Sequence, residues 1–165
     1  MIGNIKIIAV CMCKVYDERN YRIIRALNNF AVENDYRLFV YHTCSDLYWK
    51  TLSEKGEQSV FDLIDYDITD AVVTFEEGVY AENVMTKIRM DAAQYGKPVI
   101  SVGVEHDDCI SIKFGYAKGF EQVVRHVIEQ HGVRDIGFIA GRKDEEHSEE
   151  RIAVFRKLLE EYDIP

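Results

Sequence analysis

Apolar residues run without alternation from Ile5 to Cys11 (IKIIAVC), the pattern of a strand covered on both faces, and then break into the polar loop MCKVYDERN. From Glu18 the period changes to that of a helix. Ile23, Ile24, Leu27, Phe30 and Ala31 share one face, predicting an amphipathic helix over Glu18 to Asn34, with Asp17 placed to cap it. YRLFVYHT (Tyr36 to Thr43) is a second strand by its aromatic and β-branched content. Asp46 to Tyr66 predicts a helix with a broken start, because Gly56 interrupts it while Val60, Phe61 and Ile64 mark a face near its end. A third strand (Ala71 to Phe75), a helix (Ala81 to Tyr95, ended by Gly96), a fourth strand (Val99 to Val102) and a short fifth strand (Cys109 to Phe114) follow. Phe120, Val123, Val124, Val127 and Ile128 give the cleanest helical stripe, ending at Gly132. DIGFIA (Asp135 to Ala140) predicts a sixth strand, Gly141 to Ser148 a charged loop, and Glu149 to Tyr162 a last helix.

Strand and helix alternating with short links predict an α/β fold: a doubly wound parallel sheet, Rossmann-like and three-layered, with right-handed crossovers. The first strand should lie inside the sheet, with the second strand on one side of it and the third on the other. The crevice at its carboxyl end is the place for a ligand.

Composition narrows the partners. With 165 residues, 47% of them hydrophobic, the chain can bury a substantial core. Its 29 acidic against 20 basic residues give a formal charge of -9, the wrong sign for a phosphate-binding surface, so nucleic acid is not expected as a direct partner. No apolar run approaches the ~20 residues of a membrane span, and MIGNIKII lacks the basic start of a signal peptide, so a cytoplasmic protein without membrane contact is expected. Cys11, Cys13, Cys44 and Cys109 lie in or beside strands, as reduced and mostly buried thiols do. No second Cys pair or histidine at ligand spacing accompanies Cys11 and Cys13, and His126 and His131, five apart, should not share a helical face; no metal is expected. Neither phosphate-cradling glycine loop nor a G-x-S-x-G nucleophile turn is present, and no cofactor is expected.

Two later stretches carry a family likeness. CISIKFGYAKGFEQVVRHVIEQHGVRDIGFIAG (Cys109 to Gly141) and SEERIAVFRKLLEEYDIP (Ser148 to Pro165) resemble the effector-binding core of LacI/GalR-type regulators, the type 1 periplasmic-binding-protein fold. RIIRALNNFAVENDYRLFVYHT and YDITDAVVTF resemble its first helix, second strand and third strand more loosely. Asp17-Glu18-Arg19-Asn20 stands where that family has an aromatic loop, Lys113 where it has an acidic residue, and no helix-turn-helix precedes Met1. The resemblance implies a non-catalytic sensor of a small polar effector such as a sugar or nucleoside, working as a homodimer, with no direct nucleic-acid contact by this segment. It implies an amino-terminal lobe over 1–132 and the first strand and helix of a second lobe over 133–165. The output would be transcription regulation or a carboxyl-terminal diguanylate cyclase or kinase domain. Left without the rest of a second lobe, DIGFIA should join the edge of its own sheet or pair with a second copy.

The strand ends supply the candidate ligand residues: Cys13, Tyr16, Asp17 and Asn20 after the first strand, His42 and Asp46 after the second, Phe75 and Glu76 after the third. Arg151 joins them through the resemblance, by its place in SEER. Each also has a plain structural reading: Asp17 as a helix cap, Phe75 as a core aromatic, Glu76 and Arg151 as solvated charges. An enzymatic alternative is a flavodoxin-like or receiver-like domain. A receiver needs an acidic cluster at the end of strand one and an aspartate after strand three, where this chain has Val10-Cys11-Met12-Cys13 and Thr74-Phe75.

Overall fold

The computed structural model describes residues 5–77, 79–141 and 145–165. The chain forms two compact units, Met1–Lys113 and Phe114–Pro165.

The first unit is the doubly wound sheet. Five strands, β1 (Lys6–Cys13), β2 (Tyr36–Thr43), β3 (Ala71–Phe75), β4 (Val99–Val102) and β5 (Ile110–Ile112), are ordered β2-β1-β3-β4-β5, and every pairing is parallel. β1 lies inside, as its unbroken apolar run requires: Ala9, Val10 and Cys11 are fully buried. Three helices, α1 (Glu18–Glu33), α2 (Leu52–Gln58) and α3 (Glu82–Gln94), make the crossovers. Right-handed crossovers put α1 on one face of the sheet and α2 and α3 on the other. The latter face holds the main core, where Ala9, Cys11, Cys13 and Val72 of the sheet meet Phe61, Ile64, Met85, Ile88 and Ala92.

The second unit contains two helices, α4 (Tyr116–His131) and α5 (Glu146–Glu161), and 132–141 between them hold no regular element. Val124 and Ile128 of α4 pack with Leu158 of α5 and Ile164, and Phe138 of the linker stacks between Phe120 and Phe155. This compact unit starts at Phe114. Of the α4 stripe, Val124 and Ile128 are buried in this cluster and Phe120 packs against it, while Val123 is 60% exposed.

Several expectations change. The sixth strand over Asp135 to Ala140 does not form: 132–141 carry no ladder, and Ile139 is 97% exposed. A strand needs a neighbouring strand to take its backbone groups, and the five-stranded sheet ends at β5 without DIGFIA. The helix expected over Asp46 to Tyr66 is α2 followed by a 3-10 turn at Ser59–Leu63. Gly56 sits inside α2, and the break falls earlier, because Thr51 and Glu54 form a capping box that starts the helix at Leu52. The fifth strand shortens to Ile110–Ile112, and α5 begins three residues early, at Glu146. Asp17 stands at the amino-terminal cap of α1 without a side-chain capping bond. Cys44 is exposed, unlike buried Cys11 and Cys13. The charged loop over Gly141 to Ser148 lies partly, at 142–144, outside the described residues.

Candidate functional site

At the carboxyl ends of β1 and β3 the crossovers leave in opposite directions, and the loops there frame the crevice of a doubly wound sheet. β1 ends in a tight turn. Lys14 takes a left-handed backbone (φ 48°), its N–H extends the ladder to the Thr43 carbonyl at 2.8 Å, and Asp17 N–H closes back on the Lys14 carbonyl at 3.0 Å. The Asn20 amide, reaching back from the first turn of α1, donates to the carbonyls of Cys13 and Lys14 at 3.0 and 3.1 Å. Left-handed residues without glycine recur across the turn, at Leu47 and Lys50 after β2. Such strain persists only where surrounding bonds over-determine it.

Those bonds converge on Asp46. Its carboxylate accepts from Lys14 Nζ at 2.9 Å, and its carbonyl accepts from Tyr80 N–H at 2.9 Å, tying the loops after β1, β2 and β3 together. The hydrogen bond to Lys14 holds the Asp46 carboxyl below the usual range, and the same bond raises the Lys14 ammonium. Both groups are therefore charged at neutral pH. Across the switch point, Arg19 on α1 forms a two-pronged pair with Glu77 after β3, at 2.9 and 3.3 Å. The Tyr16 hydroxyl donates to the Cys44 carbonyl. Tyr48 packs edge-on to Trp49 and Tyr80, with centroids 4.7 and 5.2 Å away, and Trp49 is 77% exposed. Ionic groups able to bind hydroxyls thus lie beside rings able to stack on a ligand face.

Gly103 keeps Glu77 in place. It adopts φ 101°, and a Cβ there would stand 2.6 Å from the Glu77 Cβ.

The predicted residues separate into three groups. Tyr16, Asp17, Asn20 and Asp46 belong to the turns at this end of the sheet. Cys13 and Glu76 also lie there, but inside the protein. Cys13 is buried, accepts from the Thr43 hydroxyl, and burial pushes its thiol up to about 11. Glu76, 7% exposed, is enclosed by hydrogen bonds: one carboxylate oxygen accepts from Arg89 (2.8 Å), Thr74 (2.8 Å) and Ser101 (3.2 Å), the other from Arg89 (2.8 Å) and His106 (2.9 Å). This carboxylate fastens α3 and the β4–β5 loop to the sheet. His42 and Phe75 alternate with the inward-facing Tyr41, Thr43 and Thr74, so they point to the other face. Arg151 lies on α5 in the second unit, where its Nε donates to the His147 carbonyl at 2.9 Å.

Lys14, Arg19 and Glu77 lie at the same strand ends. Arg19 and Glu77 are 58 residues apart, and no local pattern signals that the two strand ends adjoin. The aromatic content of LYW (Leu47 to Trp49) was the one available hint.

No family model and no curated protein matches the sequence. Solved structures do match in fold. A sugar-binding transcriptional regulator of the LacI family from Enterococcus faecalis is 15% identical, with a TM-score of 0.66 over 100% of this chain and 55% of that one. The transcription regulator CcpA of Lactococcus lactis is 20% identical, at a TM-score of 0.69 over 97% and 55%. A periplasmic binding protein/LacI transcriptional regulator from Alkaliphilus metalliredigens, complexed with D-xylulofuranose, is 18% identical, at 0.67 over 97% and 54%. The chain spans about half the length of these structures. It has the fold of a LacI-type, periplasmic-binding-protein-like effector-binding core.

Proposed function

We propose that this chain is part of a non-catalytic sensor that binds a small polar effector, a sugar or a compound with similar hydroxyls, at the carboxyl ends of β1 and β3. The observation that carries the reading is the Arg19–Glu77 pair spanning the switch point beside Lys14–Asp46 and the exposed Trp49. Forked guanidinium and carboxylate groups exchange readily between each other and vicinal hydroxyls, and an aromatic face takes the apolar side of a sugar ring. D-Xylulofuranose, bound by the Alkaliphilus relative, is a ligand of that class. The structures of like fold are transcription regulators, and the reading is of binding without turnover.

In this reading the second unit, from Phe114, is the start of a second lobe. Ligand binding biases a two-lobe equilibrium only by its difference in affinity for the two states. The output favoured by the regulators of like fold is transcription control, delivered by a homodimer in the cytoplasm. A cyclase or kinase output has no counterpart among them.

Trp49 is the chain's single tryptophan and serves as a built-in probe. The experiment is a titration of the full-length protein with pentoses, hexoses and nucleosides, read by Trp49 fluorescence and by thermal shift, with Glu77→Gln and Arg19→Met alongside. A saturable signal for one class, weakened in both variants, supports the site. Thermal stabilisation that both variants retain in full places the ligand elsewhere, and chemical conversion of the ligand overturns the sensor reading.

A further inference from the structure

α4 ends in an unusual pair. His126 and His131, five residues apart, are about 140° apart around an ideal helix and should not meet. They do meet: the Nε2 atoms stand 3.2 Å apart, the ring centroids 5.0 Å, and the planes are inclined by 78°. His131 is the last residue of α4, and the left-handed Gly132 (φ 63°) terminates the helix directly after it. At that end its side chain reaches back over the final turn.

A linear N–H···N hydrogen bond with this nitrogen separation would place the centroids about 5.5 Å apart, since each centroid lies about 1.2 Å behind its nitrogen. Two rings directed at one metal ion, at about 2.05 Å with a near-tetrahedral angle, would hold their nitrogens about 3.3 Å and their centroids about 5.2 Å apart. The observed values, 3.2 and 5.0 Å, lie nearer the second pair, and the two Nε2 atoms are spaced to share one ion.

We propose that His126 and His131 form a two-imidazole site for a divalent transition metal such as Cu2+ or Zn2+, with water filling the remaining positions. Imidazole nitrogen suits these ions, while Mg2+ and Ca2+ call for oxygen ligands. The site lies at the negative end of the α4 dipole, on a chain of formal charge -9, and both features favour a cation. The nearest basic side chain in sequence, Arg125, is directed elsewhere: its guanidinium pairs with Glu121 at 2.9 Å and Glu161 at 2.6 Å. Glu129 accepts from the Tyr162 hydroxyl. No group of three or more metal-ligating side chains occurs among the described residues, so the site is a chelate of two histidines.

The test is a Cu2+ titration of the full chain, freed of any affinity tag, followed by electron paramagnetic resonance and by calorimetry. His126→Gln and His131→Gln are compared with the parent protein. Both residues are exposed, and circular dichroism checks that the variants keep their helices. One equivalent of copper should show hyperfine coupling to two imidazole nitrogens, and each variant should weaken its binding by about a hundredfold or more, at or beyond the roughly 10–100-fold that an outer-shell change alone produces. Zn2+ should compete for the site and Mg2+ should not. Coupling to a single nitrogen, or a variant that binds as tightly as the parent, overturns the proposal.

Discussion

Removing Arg89 should be among the most damaging single changes in the sheet unit. The guanidinium, 6% exposed, contacts both oxygens of the Glu76 carboxylate at 2.8 Å and reaches Thr86 through its other terminal nitrogen at 3.2 Å. Arg89→Met keeps the aliphatic stem but leaves a buried carboxylate with only Thr74, Ser101 and His106 for partners. Breaking a buried ion pair from one side costs about 3–5 kcal/mol, because the surviving charge remains desolvated. In a domain of this size that lowers Tm by roughly 6–20 °C, at about 2–4 °C per kcal/mol. Glu76→Gln removes the charge and keeps an acceptor for Thr74 and Ser101. The double variant Arg89→Met/Glu76→Gln should therefore recover part of the loss, with a coupling of about 1–3 kcal/mol. Urea unfolding of the four proteins, with equal m-values, measures each corner of the cycle. A loss below about 1 kcal/mol in Arg89→Met, or a double variant less stable than Arg89→Met alone, would refute the view that an uncompensated buried carboxylate sets the cost.

Other outcomes follow from the same geometry. Gly103→Ala should weaken effector binding along with stability, because its Cβ displaces Glu77; ligand titration and thermal unfolding of the one variant report both. Thr51→Ala should cost about 1 kcal/mol by removing the cap of α2, measured by urea unfolding. At pH 8 a thiol reagent should label Cys44 promptly, while Cys11 and Cys13, both raised by burial, react only after denaturation; peptide mapping distinguishes them. The Lys14–Asp46 bridge sets a pH window. The lowered Asp46 contributes stability above its ordinary 3.8 and loses it as pH falls through the lower folded value, whereas the raised Lys14 contributes below 10.5 and loses it as pH rises through the higher one. Since both side chains are about a third exposed, Asp46→Asn should cost no more than about 1 kcal/mol at pH 7, and the cost should vanish once pH has fallen below the lowered folded value.

Residue pattern and residue type were enough to place most strands of the sheet unit. β2, β3 and β4 begin and end where the residue pattern says, and β1 lies between β2 and β3 because a strand apolar on both faces must be covered on both. Turn chemistry was equally readable at Gly96 and Gly132, which carry the positive φ that a helix end favours. What the sequence could not convey is which distant groups share a space. Glu76 and Glu77 are adjacent and chemically alike, yet one is enclosed under α3 by Arg89 and His106 while the other faces Arg19 in the crevice; successive residues at a strand end point opposite ways, and only the packed sheet decides what each meets. The DIGFIA segment shows the same limit from the other side. Its composition is that of a strand, but strand formation depends on an available partner edge, and a partner is a property of the fold rather than of the six residues themselves. His126 and His131 are the third case. Helical spacing separates them, and the end of α4 at Gly132 brings their nitrogens to 3.2 Å.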